Sequence, residues 1–109
     1  MGEFESREQG FEAKFAHDQE VMFKAKARRD ALAGRWVVGQ LGLTGAEADA
    51  YLQSLVALSV RKDHEQAIVQ KLLADFAQAK IEMSEHRLRR QLSEFMEQAV
   101  AQLRSEPRS

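Results

Sequence analysis

From Phe4 to Gly45 the apolar residues recur at multiples of three and four, with charged residues between them and glycines at the end. That spacing predicts one long helix carrying Phe4, Phe11, Phe15, Met22, Leu32 and Trp36 on a narrow stripe. Gly42 is placed to close this helix in a left-handed C-terminal cap. Thr44, with Glu47 three residues on, has the form of a capping box opening a second helix from Gly45 to Leu58, with Ala48, Tyr51, Leu52, Leu55 and Val56 inward. Asp63 is the expected N-cap of a third helix, His64 to Ala79, built on Ile68, Val69, Leu72, Leu73 and Phe76. Ser84 opens a fourth, to about Arg104, with Leu88, Leu92, Phe95, Met96, Ala99, Val100 and Leu103 on its inner face. The pattern predicts an all-α fold, a small four-helix bundle with short connections.

Helix lengths then separate the two ends of the first helix. The later helices span roughly 20 to 30 Å, whereas a helix from Phe11 to Leu41 spans about 45 Å. Leu32 and Trp36 fall within reach of the bundle, with Ala25 and Met22 at its edge, but Phe11 and Phe15 overhang it. A stripe longer than its own core is a place for a partner. The alternative is burial by back-folding or dimerisation, which would make the chain a helical scaffold. Alone in water, the charged first dozen residues are expected to fray.

Composition narrows the class. With 109 residues the chain forms one domain, and its single proline, Pro107, lies beyond the last helix. A net charge of −1 argues against a general polyanion binder, and no nucleic-acid partner is expected. Without cysteine there is neither a disulfide nor a thiolate metal site. No apolar run reaches membrane-spanning length, and no export signal is visible. Met1-Gly2 with Ser6 matches the loose myristoylation signature, but Glu3 and Glu5 oppose membrane anchoring, so the match is read as chance.

No enzyme constellation is present: there is no phosphate-binding P-loop, nucleophile elbow or paired-histidine motif. His17, His64 and His86 stand far apart and read as surface or capping residues, so no metal site or cofactor is assigned. Gly42, Thr44 and Gly45 lead into a helix N-terminus, a place where backbone N–H groups can hold phosphate. A C-cap followed by an N-cap accounts for the same residues, so weak nucleotide binding stays an alternative. Arg28-Arg29 and Arg87-x-Arg89-Arg90 read as solvated faces or as partners for nearby carboxylates.

The run Arg7-Glu8-x-x-Phe11-Glu12-x-Lys14-Phe15-Ala16-His17-Asp18-x-Glu20-x-x-Phe23-Lys24-Ala25-x-Ala27-Arg28-Arg29 strongly resembles the zeta subunit, the ATPase inhibitor of alphaproteobacterial F-type ATP synthases. Leu32, Gly34, Trp36 and Leu41-Gly42-x-Thr44-Gly45 continue the likeness, and Ser84-Glu85-His86-x-Leu88-Arg89-Arg90 is similar to that family's last helix. The resemblance implies a non-enzymatic regulator with a mobile N-terminal arm, residues 1–19, on a four-helix bundle, residues 20–109. The arm would enter the catalytic hexamer of the ATP synthase beside its central rotor stalk and block ATP hydrolysis. Phe4, Arg7, Glu8, Phe11, Lys14, Phe15, His17 and Asp18 would then line the inserted helix. It also implies a cytoplasmic protein, monomeric when free, held at the inner membrane only through the synthase. Gly10, Asp30 and Ala33 depart from the family's usual Ala, Asn and Leu, which implies a looser arm and thinner packing near the bundle.

Overall fold

The computed structural model describes the backbone of residues 2–106 and the side chains of residues 18–106. Four helices follow in order: α1 (Gly2–Leu41), α2 (Gly45–Leu58), α3 (His64–Gln78) and α4 (Glu85–Ser105). The expected element order and boundaries are met to within a residue or so. The 40 residues of α1 correspond to about 60 Å of helix, nearly twice the length of α4.

Each connection is short because backbone chemistry stops the helix sharply. At the end of α1, Gly42 takes φ +71°, and the N–H groups of Gly42 and Leu43 donate to the carbonyls of Gly39 and Val38. This paired closure satisfies two carbonyls the helix would otherwise leave open. The end of α3 is built the same way, with Lys80 and Ile81 donating to Ala77 and Phe76. There, however, a lysine holds the left-handed position, at φ +60°.

The caps at the helix starts are less uniform. At α4, Ser84 Oγ accepts from the Arg87 N–H at 3.1 Å. Thr44 occupies the N-cap of α2 in extended geometry, but its hydroxyl makes no capping bond, so the expected capping box with Glu47 does not form. Asp63 precedes α3 without capping it either. Its carboxylate is held instead by the Arg61 guanidinium at 2.9 and 3.0 Å, which also keeps its pKa low.

The core gathers Ala33 and Val37 of α1, Leu55 of α2, Ile68, Val69, Leu72 and Phe76 of α3, and Leu88 and Leu92 of α4. Trp36 lies edge-on to both Phe76 and Phe95, at ring-centre distances of 5.4 and 5.8 Å. Such tilted contacts match the charge distribution of aromatic rings. Arg28 pairs with Glu106 while Trp36 meets Phe95, so α1 and α4 run antiparallel.

Against α2 the helix packs through a glycine. A methyl group placed at Gly34 would lie 2.7 Å from Leu52 Cδ2 and 3.1 Å from Leu55 Cδ1. The missing side chain at Gly34 lets α2 settle onto α1, and fully buried Ala33 lies beside it. Of the expected inward residues, Val56 is a correction: it is 61% exposed, because α2 turns Leu55 into the core and leaves its neighbour outside. Met22, expected at the bundle's edge, is 45% exposed, and Leu32 is half-buried.

Polar groups fix how the helices meet. The Tyr51 hydroxyl of α2 donates to Asp75 Oδ2 of α3 at 2.7 Å, and the same oxygen accepts from Lys71 Nζ at 3.1 Å. Burial and the adjoining carboxylate push the Tyr51 pKa well up. Among the described residues no buried side-chain polar atom lacks a partner.

Candidate functional site

The region of interest is the part of α1 that precedes the core. Going from the N-terminus, Ala25 is the first buried residue among those described. Before it, Asp18, Gln19 and Glu20 are exposed, Lys24 pairs with Glu20 on the surface at 3.1 Å, and Phe23 is 77% exposed. So the helix emerges from the bundle at about one turn before Ala25, with apolar side chains still uncovered.

Of the residues expected to contact a partner, Asp18 is seen on this emerging turn. Phe4, Arg7, Glu8, Phe11, Lys14, Phe15 and His17 belong to α1, but their side chains lie outside the described residues. The same holds for the expected fraying of the first dozen residues and for the Met1-Gly2 signature.

The base of the emerging helix is clamped by charge. Arg29, one turn after Ala25, is 6% exposed, the one charged side chain buried among those described. Its guanidinium donates to both oxygens of Glu65, in the first turn of α3, at 2.8 and 2.9 Å. It also donates twice to Asp30 Oδ1, at 3.0 and 2.8 Å. His64 Nε2 lies 3.1 Å from the same Glu65 carboxylate. Burial by itself would lower the Arg29 pKa, but the hydrogen bonds it donates to Glu65 and Asp30 outweigh this and raise it. For Glu65, burial acts upward and the Arg29 hydrogen bonds prevail, holding its pKa below the usual carboxylate range. Asp30, where the resemblance leads one to expect Asn, supplies the second carboxylate.

Of the two readings of Arg29 from sequence, a solvated face or a partner for nearby carboxylates, the second holds through Asp30, while the burial and the link to Glu65 were not expected. The available signal was its place between Ala25 and Ala33 at intervals of four, on the buried face. Its neighbour Arg28 does behave as a surface cation, pairing with Glu106.

A second feature that periodicity missed is a cleft of about 260 Å³ between α1 and α2. Ala27, Ala31 and Arg35 line it from α1, Leu52 and Val56 from α2, and Ser59 from just after α2. Phe23, Ala27 and Ala31 follow at intervals of four, so exposed Phe23 continues the cleft's α1 wall toward the N-terminus. Val56 and Val60, 61% and 86% exposed, continue the α2 side.

The glycine-rich turn was the other candidate. Gly42 and Gly45 both have positive φ, at +71° and +55°. The N–H groups of Gly42 and Leu43 are already donors to Gly39 and Val38, and Glu47 stands in the first turn of α2. The remaining donors are those any helix start offers. Among the described residues, no group of three or more His, Asp or Glu side chains is arranged to hold a metal ion. No helix among them is long and apolar enough to cross a membrane.

No curated protein shows significant similarity to the chain. A family model does match it, over residues 1–102, and its description is ATPase inhibitor subunit zeta. The match covers the emerging segment of α1, the clamp at Arg29, the cleft and nearly all of α4. A four-helix bundle whose first helix runs on past its core, matched over all but its last few residues, belongs to the family of ATPase inhibitor subunit zeta.

Proposed function

We propose that the chain is a regulatory subunit that restrains ATP hydrolysis by a bacterial rotary ATP synthase, and that residues 1–19 are the effector. The arm enters an interface of the catalytic hexamer beside the central rotor stalk, while the bundle remains outside as a stop. The observation that carries this reading is the continuation of α1 well beyond its first described buried residue, Ala25, in a chain of an inhibitor family. The protein makes and breaks no bonds; its work is done by occupying space.

Phe11 and Phe15, one turn apart, are the proposed anchors. Each would contribute roughly 1.5–3 kcal/mol on burial in a dry cleft. Ordering the arm opposes this by several kcal/mol, which keeps inhibition reversible and dependent on the state of the target. Arg7, Glu8, Lys14, His17 and Asp18 supply charges that would pair with the walls of the cleft, and so affinity should fall with salt.

The test is ATP hydrolysis by the purified catalytic sector with full-length protein, Phe11→Ala, or a chain lacking residues 1–19. Inhibition by the full chain, weakened by Phe11→Ala and absent without the arm, is the expected result. Equal inhibition by the shortened chain would place the effector in the bundle and end this reading.

A further inference from the structure

We infer that the cleft between α1 and α2 is a second contact site for the catalytic hexamer, taking an apolar side chain from the target's surface next to the arm's point of entry. This inference rests on the proposed insertion of the arm and adds to it a named surface on the bundle.

Continuity is the first argument. Phe23 lies five residues after Asp18, about 8 Å further along α1. A body that encloses the arm as far as Asp18 therefore meets Phe23 at its rim. Behind Phe23 on the same face come Ala27 and Ala31, the floor of the cleft. Small side chains there let an incoming group reach the helix backbone closely. Because α2 runs back antiparallel to α1, its last turn and the residues just after it bring Val56 and Val60 to the same end of the molecule. Of the four large apolar side chains exposed on the described surface, Val56 lines the cleft, Val60 follows Ser59 of its lining, and Phe23 stands one turn before Ala27.

Size and charge indicate the occupant. A stable stand-alone interface engages roughly 20–30 residues a side, whereas the cleft, about 260 Å³, takes a side chain or two. It suits an auxiliary contact to a larger one, which the arm supplies, better than a self-sufficient dimer. At its edge Asp30 is engaged by Arg29, whereas exposed Arg35 has no carboxylate partner among the described residues. A target carboxylate beside the inserted apolar group would complete the fit.

The chain has no cysteine, so a single one can be labelled. The experiment is to titrate full-length Val60→Cys, carrying an environment-sensitive fluorophore, with the isolated catalytic hexamer and ATP. A label at exposed Gln78 serves as control. In parallel, Val60→Glu, Phe23→Ala and Phe11→Ala are compared for inhibition and for thermal midpoint. The expected result is a blue shift at position 60 that tracks inhibition and is absent at 78. Val60→Glu and Phe23→Ala should each raise the half-inhibitory concentration roughly tenfold at unchanged thermal midpoint. If Phe11→Ala inhibits normally while Val60→Glu still binds weakly, the arm reading fails and the cleft stands. If Phe11→Ala abolishes inhibition while Val60→Glu and Phe23→Ala match the parent and the label stays silent, the cleft proposal is overturned. It is also overturned if the label responds to protein concentration alone and sedimentation finds a dimer that Val60→Glu dissolves. Absence of any binding between the parent chain and the hexamer overturns both.

Discussion

Replacing Glu65 with glutamine keeps the shape of the side chain and removes the charge that holds Arg29. Two charge-assisted hydrogen bonds would be worth several kcal/mol in a dry site, but the Glu65 side chain is 46% exposed and Asp30 remains to hold the guanidinium. Discounting for solvent leaves a loss of about 1 kcal/mol, or a fall in thermal midpoint of roughly 4–8 °C. Arg29→Met should cost more, about 2–3 kcal/mol, because it strands the Asp30 carboxylate, only 14% exposed, without its cation. The double variant should be more stable than the sum of the two losses implies, by about 1 kcal/mol.

The acid limb provides an independent check. Since the folded-state pKa of Glu65 is depressed, its contribution is present above the ordinary carboxylate range and is lost as pH falls through the depressed value. The gap between parent and Glu65→Gln should therefore narrow as pH falls below the ordinary glutamate value of about 4.3. Urea unfolding across pH 3 to 7 measures both the cycle and the narrowing. An additive cycle, or a gap as wide at the lowest pH as at pH 7, would refute the account of Arg29 as a clamp between α1 and α3.

Other substitutions probe the rest of the frame. Phe76→Ala, at a fully buried site against Trp36, should cost about 3–5 kcal/mol in chemical denaturation, enough to leave the chain marginal. Lys80→Gly relieves a left-handed lysine and should stabilise the fold by up to about 1 kcal/mol, seen as a raised thermal midpoint. Burial first, then Asp75, raises the Tyr51 pKa in the folded state, so its contribution is complete below about pH 10 and fades as pH rises further. Thermal midpoints should accordingly fall more steeply above pH 10 for the parent than for Tyr51→Phe.

Legibility differed between elements for physical reasons. Gly42 and Ser84 are residue types whose local chemistry decides their role, and both behave as the sequence suggests. Thr44 and Asp63 are also good capping types, yet Asp63 has a competing cation two residues away, and local rules do not rank such competitors. In α2 apolar residues occupy more than one face, so periodicity had no means of choosing Leu55 over Val56. The place of Arg29 between Ala25 and Ala33 hints at burial, but its partner Glu65 is 36 residues away in sequence, and no window around Arg29 contains it. The arm's proposed contacts came from resemblance; its phenylalanines among charges fit a frayed helix end equally well by pattern.

That one helix supplies both the core and the segment before it has a mechanical consequence. A pull on the segment ahead of Asp18 reaches the bundle along the axis of α1. Antiparallel α4 lies alongside, so the load arrives as shear, shared at once by the layers from Ala25 to Val37. A sideways pull would instead peel α1 away one layer at a time, starting at Ala25. The molecule is therefore strong lengthwise and weak crosswise.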